Sequence, residues 1–188
     1  MRDTSSVIWW YHKGKIETVL VFLIFLFIVI ALATPSRSFG FGLEVEPGEI
    51  YIENVALGKT VAVSALGGER MKLRIENKGA SAYTYTIDIL PTAQTSATLK
   101  EGYIDIPDTT WIWPENNEVT IAGKSTEVVE VYLKIPQKKE CYDKKYQAVI
   151  EVKNKKNRPE EIFVLACQLK MCFSTLNLGV EEAKNAHK

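Results

Sequence analysis

The sequence predicts an all-β fold: a single antiparallel sandwich of about seven to nine strands, preceded by one N-terminal hydrophobic helix. Three observations carry this. Apolar and polar residues alternate with period two over most of the chain after residue 42, the signature of strands with one buried face. Pro, Gly and Asn-Lys-Gly breaks separate those runs at short intervals, the punctuation of turns. Charge-free apolar residues are packed into one block near the start. The 46% hydrophobic content of the 188 residues is therefore two populations, one addressing a membrane and one building a core.

The block is Thr18–Thr34, about 17 residues without a charge, with Arg2, Lys13 and Lys15 before it and Pro35, Ser36 and Arg37 after it. A basic flank, an apolar stretch and Ala31-Leu32-Ala33 fit a cleaved signal peptide. The length, together with Trp9, Trp10 and Tyr11 at the near interface, fits an uncleaved anchor. Both readings export everything after residue 34. No Cys comes directly after the block, which sets a bacterial lipoprotein aside, and no hydrophobic tail closes the chain, which sets a GPI signal aside; none of the eight Asn residues begins an Asn-x-Ser/Thr site, which leans toward a prokaryotic envelope. A pilin-type leader is disfavoured by Lys15 after Gly14 and Val19 where a Glu is wanted. The expected division is a cytoplasmic lead-in over 1–16, a signal anchor or signal peptide over 17–34, a linker over 35–42, the sandwich over 43–173 and a polar tail over 174–188.

The strands follow in order. Glu49-Ile50-Tyr51-Ile52-Glu53 opens after Pro47-Gly48. Val61–Ile75 comes next, with Met71, Leu73 and Ile75 on one face and Lys72, Arg74 and Glu76 on the other. After the Asn77-Lys78-Gly79 turn, Tyr83, Tyr85, Ile87 and Ile89 share a face, and Pro91 ends the run because it lacks a ladder donor. Thr92–Lys100 is small and polar, and is expected to be a loop. Short β-like pieces follow at Tyr103–Ile106, Trp111–Trp113 and Glu118–Ile121, then Thr126–Ile135, and last a pair at Tyr146–Val152 and Ile162–Phe173. No helix is expected outside the first segment.

Three stretches carry a family resemblance. Val45-Glu46-Pro47-Gly48-Glu49-Ile50, Met71–Gly79, and Ile121–Ser125 with Val129–Pro136 resemble the opening strand, the strand with its Asn-x-Gly turn, and the Gly-x-Ser turn with its strand ending in Pro of immunoglobulin-like sandwiches of the broad PapD-like and Hydin-like kind. The resemblance covers about residues 43–173 and implies a fold more than a function. Periplasmic pilus chaperones of that superfamily have two such domains, and this chain has room for one.

The charges cancel, 23 basic against 23 acidic, and without residues 1–33 they stand at 20 against 21. No basic excess exists to neutralise phosphates, so no nucleic-acid partner is expected. The two histidines, His12 and His187, lie at the two ends. No His-based triad or zinc site can form in the middle, and no enzyme, metal or cofactor is expected. Cys141, Cys167 and Cys172 lie near the last hairpin, in a compartment that permits disulfides. A turn centred on Lys156-Asn157 sets Ile150 against Phe163, Tyr146 against Cys167 and Cys141 against Cys172. That register predicts a Cys141–Cys172 bond with Cys167 a buried free thiol; a Cys167–Cys172 bond and three free thiols are the alternatives.

Candidate binding residues are Trp111 and Trp113, two residues apart on one face of an extended segment. They either stack on sugar rings or a partner, or fill the core. The apolar row Phe163, Leu165, Cys167, Leu169, Met171 and Phe173 either offers a strand edge or faces the core. Lys138, Lys139, Lys144, Lys145, Lys153, Lys155, Lys156 and Arg158 form either an anionic-surface contact or a solvated surface. Glu44 and Glu46 read as exposed strand positions. These features predict a non-enzymatic extracytoplasmic protein, at the periplasm or cell surface, tethered to a membrane through 17–34 or secreted. It would work as an accessory or assembly subunit through protein–protein contact. A carbohydrate-binding or adhesive module using Trp111 and Trp113, with a glycan partner, is the alternative, and a chaperone-like or pilin-like subunit is a more distant one.

Overall fold

The computed structural model describes residues 42–155 and 164–177. The N-terminal hydrophobic segment, nearly all of the linker, Lys156, Arg158, Phe163 and most of the tail lie outside the described residues. Among the described residues no helix is long and apolar enough to cross a membrane.

The described residues form an all-β domain. Its strands are β1 (Leu43–Glu46), β2 (Glu49–Val55), β3 (Val61–Ala62), β4 (Leu73–Asn77), β5 (Tyr83–Pro91), β6 (Ile104–Asp105), β7 (Ile112–Pro114), β8 (Glu118–Ile121), β9 (Ser125–Val129), β10 (Val131–Leu133), β11 (Lys145–Asn154) and β12 (Ala166–Thr175). The larger sheet runs in the order β2-β12-β11-β5-β8, with β6 beside β11. The other layer is β1-β4-β9 with β3-β10-β7. Side chains from both layers form one buried cluster: Leu73, Ile75, Val129, Val131 and Leu133 with Ile50, Phe173, Ile150 and Ile87. The period-two readings of β4 and β5 hold, since Leu73, Ile75, Tyr85 and Ile87 are buried.

Four sequence expectations are corrected. The sandwich is not wholly antiparallel, for β2 runs parallel to β12 and β6 parallel to β11. The opening segment is two strands: β1 pairs with β4 in one layer, the chain breaks at Pro47-Gly48, and β2 joins the other layer along β12. Val61–Ile75 is not one strand, because a short helix α1 (Val63–Gly67) and a 3-10 turn at Glu69–Met71 interrupt it. Ser64 begins the interruption by donating from its N–H (3.2 Å) and hydroxyl (2.5 Å) to the Glu130 carboxylate. Gly68, at φ +83°, ends it in a conformation that glycine adopts freely. Fourth, the last hairpin is registered six residues away from the expectation: Tyr146 faces Phe173, Gln147 faces Cys172 and Val152 faces Cys167.

That register removes the basis for the Cys141–Cys172 bond. Cys172 faces Gln147 on one side of β11, while Cys141 belongs to the core cluster with Tyr146 on the other. All three cysteines are thiols in the structure, with Cys141 and Cys172 buried and Cys167 half-buried.

Two buried amides hold irregular chain. Asn77 donates from Nδ2 to the carbonyls of Ser81 (2.8 Å), Ile121 (3.0 Å) and Ala122 (3.2 Å), and accepts from Gly79 N–H (3.0 Å). It ties the β4–β5 turn to the β8–β9 turn. Gln147 does the same for the segment between β5 and β6, where the candidate site lies.

Candidate functional site

Side chains alternate along β11, so Tyr146, Ala148, Ile150 and Val152 enter the core cluster while Gln147 and Val149 point to the outer face of the larger sheet. Both are nonetheless fully buried. The cover is residues 92–103, a strap that leaves β5 at Pro91 and crosses β11 and β12. Asp105 on β6 fixes its start, accepting from the N–H groups of Thr92 (2.6 Å) and Ala93 (2.9 Å). Gln147 fixes its middle. Its Nε2 donates to Thr98 O (3.0 Å) and Thr92 Oγ1 (3.3 Å), and its Oε1 accepts from Lys100 N–H (2.9 Å). Ser96 Oγ lies 3.3 Å from Gln168 Oε1 on β12.

In register, Tyr51, Cys172, Gln147 and Asp105 form one row across β2, β12, β11 and β6. At its exposed end Lys100 lays its ammonium over the Tyr51 ring, 4.1 Å from the centroid, with Tyr103 at 5.5 Å, within cation–π reach. Tyr51 is 39% exposed and Leu99, next to Lys100, 42%. The Tyr51 hydroxyl donates to Glu49 Oε2 at 2.6 Å, and Lys170 Nζ lies 2.9 Å from Glu49 Oε1. The Tyr51 hydrogen bond, then Lys170, hold the Glu49 carboxyl below its ordinary range, and the bond to Glu49 pushes the Tyr51 phenol up. The bond to Tyr51 raises the Lys100 ammonium. Burial pushes up the Cys172 thiol under the strap, which keeps it protonated and poorly nucleophilic. Beside this platform a cleft of about 290 Å³ opens between the strap and the sheet, lined by Gly48, Ala97, Thr98, Val149, Gln168 and Lys170 among others.

The residues singled out in the sequence fall elsewhere. Trp111 ends a 3-10 turn (Thr109–Trp111) that rotates it out of register with β7. It packs edge-on to Tyr146, 5.5 Å between centroids and 89° between planes, and Tyr146 in turn meets Phe173 at 5.5 Å. Burial there pushes the Tyr146 phenol up to about 12. Trp113 stacks on Tyr132 across β7–β10 at 6.0 Å and 20°, on the opposite side of β7 from buried Ile112 and Pro114. The two indoles therefore form no common platform. In β12, Leu169, Met171 and Phe173 are buried, and Lys170–Thr175 has β11 on one side and β2 on the other. That stretch has no open edge. The lysine run splits in two: Lys138, Lys139, Lys144 and Lys145 lie by the start of β11, and Lys153 and Lys155 by its end, roughly 30 Å away over ten residues. Lys153 pairs with Asp88 at 2.8 Å and Lys155 with Glu118 at 2.9 Å. Glu46 pairs with Arg74 at 3.5 Å, and Glu44 with Lys78.

Sequence reasoning missed the strap face. Its signal was Gln147, a polar residue inside Tyr146-Gln147-Ala148-Val149-Ile150, where an outer position next to apolar Val149 implies a covered face.

No protein-family model matches the chain, and no curated protein matches it in sequence. Among solved structures it is similar to the ASH/PapD-like domain of human CEP192 (PapD-like domain 7), with a TM-score of 0.51 and 10% identity over 77% of this chain and 92% of that one. It is also similar to the E. coli chaperone DraB, with a TM-score of 0.47, 11% identity and coverage of 72% and 56%. A third is the Salmonella enterica SafA pilin in complex with the SafB chaperone, at 0.47, 8%, 72% and 55%. The chain spans little more than half the length of these last two. The likeness to the CEP192 domain shows the fold, a PapD-like immunoglobulin-like sandwich, as the sequence resemblance implied.

Proposed function

We propose that this chain is a non-enzymatic protein-binding module of the extracytoplasmic envelope, tethered to a membrane or secreted by residues 17–34, that serves as an accessory or assembly subunit. The observation that carries the reading is the strap face. Tyr51, Tyr103, Lys100 and Leu99 gather at the solvent side of a pinned segment, beside a cleft. Tyrosines and an apolar residue on rigid backbone are the composition of an interface centre. Gln147 and Asp105 supply the rigidity, so little ordering entropy opposes binding. The N-terminal apolar block supports the address, since a basic flank before it leaves the domain on the far side of the membrane.

The adhesive alternative keeps one supporting observation, the half-buried Trp113–Tyr132 stack. Trp111 is committed to Tyr146 and adds nothing to it. The test is co-purification of the full chain in mild detergent from its own cells, with wild type beside Tyr51→Ala. A stoichiometric protein that is lost with Tyr51→Ala is the expected result. A solitary chain that is retained on glycan resin through Trp113 would replace the reading by the alternative.

A further inference from the structure

We propose that the strap face takes an extended acidic segment of its protein partner, with a carboxylate seated on Lys100 and an apolar side chain two residues away inserted in the cleft beside Gly48. The inference rests on the protein-binding reading above and adds the partner's chemistry.

The charge is set by which cations are already satisfied. On the outer face of the larger sheet Lys170 is neutralised by Glu49, and Lys153 by Asp88 and Glu151. Lys100 is different. Its contacts are the two tyrosine rings, and no described carboxylate lies within ion-pair distance of it. Lys145, two residues from Gln147 and opposite Ser174, adds a second exposed cation on the same face without a described ion-pair partner. The rings hold the Lys100 ammonium in place and leave its solvent side open, so an incoming carboxylate makes a charge-assisted hydrogen bond with little reorganisation. A carboxylate therefore fits at Lys100.

The cleft supplies the second point of contact. At about 290 Å³ it exceeds the roughly 150 Å³ apolar cavity that suffices for benzene, so it admits a side chain the size of Leu or Phe. Val149 is fully buried at its lining. Gly48 leaves room in it, since a Cβ placed there meets nothing within 4 Å.

The spacing links the two points. Thr98 lines the cleft and Lys100 follows two residues later on the strap. On β2, Glu49 and Tyr51 are likewise two residues apart, about 6.6–6.8 Å in extended chain. Side chains i and i+2 of an extended peptide point the same way at that same separation. A peptide lying along the strap therefore presents an apolar residue to the cleft and, two positions away, Asp or Glu to Lys100.

The test selects a phage-displayed random nonapeptide library on the purified full chain in mild detergent. A fluorescein-labelled synthetic nonapeptide from the enriched pool is then titrated by anisotropy. The expected pool carries an apolar residue two positions from Asp or Glu. Lys100→Ala and, separately, Gly48→Leu, which fills the cleft, should each weaken the synthetic peptide about tenfold or more, while Lys100→Arg stays within about threefold. Both positions are exposed, and an unchanged thermal melt confirms that each variant folds. An empty pool, a pool without acidic enrichment, or undiminished binding to either variant overturns the proposal. A partner that co-purifies equally with wild type, Lys100→Ala and Gly48→Leu would leave the protein-binding reading standing and this inference refuted.

Discussion

Replacing Gln147 by Met tests whether one side chain holds the strap. Met matches Gln in length and is apolar, so β11 keeps its packing while the three hydrogen bonds to the strap disappear, namely the bond from Lys100 N–H at 2.9 Å and those to Thr98 O at 3.0 Å and Thr92 Oγ1 at 3.3 Å, together with the long contact from Cys172 Sγ at 3.8 Å. Buried neutral bonds are worth about 0.5–1.5 kcal/mol each, and the long third one counts at the low end. The strap then loses about 2–3 kcal/mol of docking free energy, and its lifted population rises roughly thirty- to hundred-and-fifty-fold. Asp105 still holds Thr92 and Ala93, so the loosening is confined to the stretch from Ala97 to Tyr103, and the sandwich stays folded. Cys172, 1% exposed and facing Gln147, is a built-in reporter. Iodoacetamide labelling located by peptide mass should accelerate at Cys172 by that factor and stay unchanged at Cys141. The Lys100 amide should exchange correspondingly faster. Wild-type labelling at Cys172 together with wild-type protection at Lys100 would refute the clamp.

Other outcomes follow from the same structure. Asn77→Ala removes four hydrogen bonds that tie two turns together, and should cost about 2–4 kcal/mol, read as a lower denaturation midpoint at constant m; a shift under about 0.5 kcal/mol would contradict the assignment. Trp111→Ala, which strips the Tyr146 contact at the core, should cost about 2–3 kcal/mol, and Trp113→Ala less than about 1; chemical denaturation of the pair decides, and equal losses would mean that the two indoles share one environment. Glu49, depressed by the Tyr51 hydroxyl and then Lys170, contributes stability above the ordinary glutamate range that is lost as pH falls through its lowered value. Carboxyl ¹³C titration should show the midpoint below that of a free glutamate and rising toward it in Tyr51→Phe; a midpoint unmoved by that substitution would remove Tyr51 as the main cause.

Period two was legible wherever a strand had one wet face. Leu73 and Ile75, or Tyr85 and Ile87, lie where alternation puts them, because burying one face and wetting the other leaves a pattern no other element shares. The pattern failed where both faces are covered. In β11 the strap buries Gln147 and Val149 as completely as the core buries Ala148 and Ile150, and a strand buried on both faces shows no alternation. The last hairpin lies six residues off, with Cys172 against Gln147, because a turn centred on Lys156-Asn157 set the expected register while the strands pair only from Lys153 and Ala166 onward. Trp111 and Trp113 look alike in an alternating reading, yet a 3-10 turn capped by Asp108, whose carboxylate accepts from Thr110 N–H at 2.9 Å, turns the first inward. The platform was least legible of all. Tyr51, Lys100 and Tyr103 come from β2 and the strap, and only the parallel pairing of β2 with β12 brings them together, a pairing for which short-range sequence holds no signal.

Photo-crosslinking in the cells that make the protein shows whether partner contact runs through the strap face. A benzophenone residue is placed at Leu99 on the strap or at Val128 on β9 of the other layer, positions of nearly equal exposure, 42% and 45%. A discrete higher-mass protein adduct is expected from position 99 and none from 128. An adduct from 128 with position 99 silent, or silence at both, would contradict contact through the strap face.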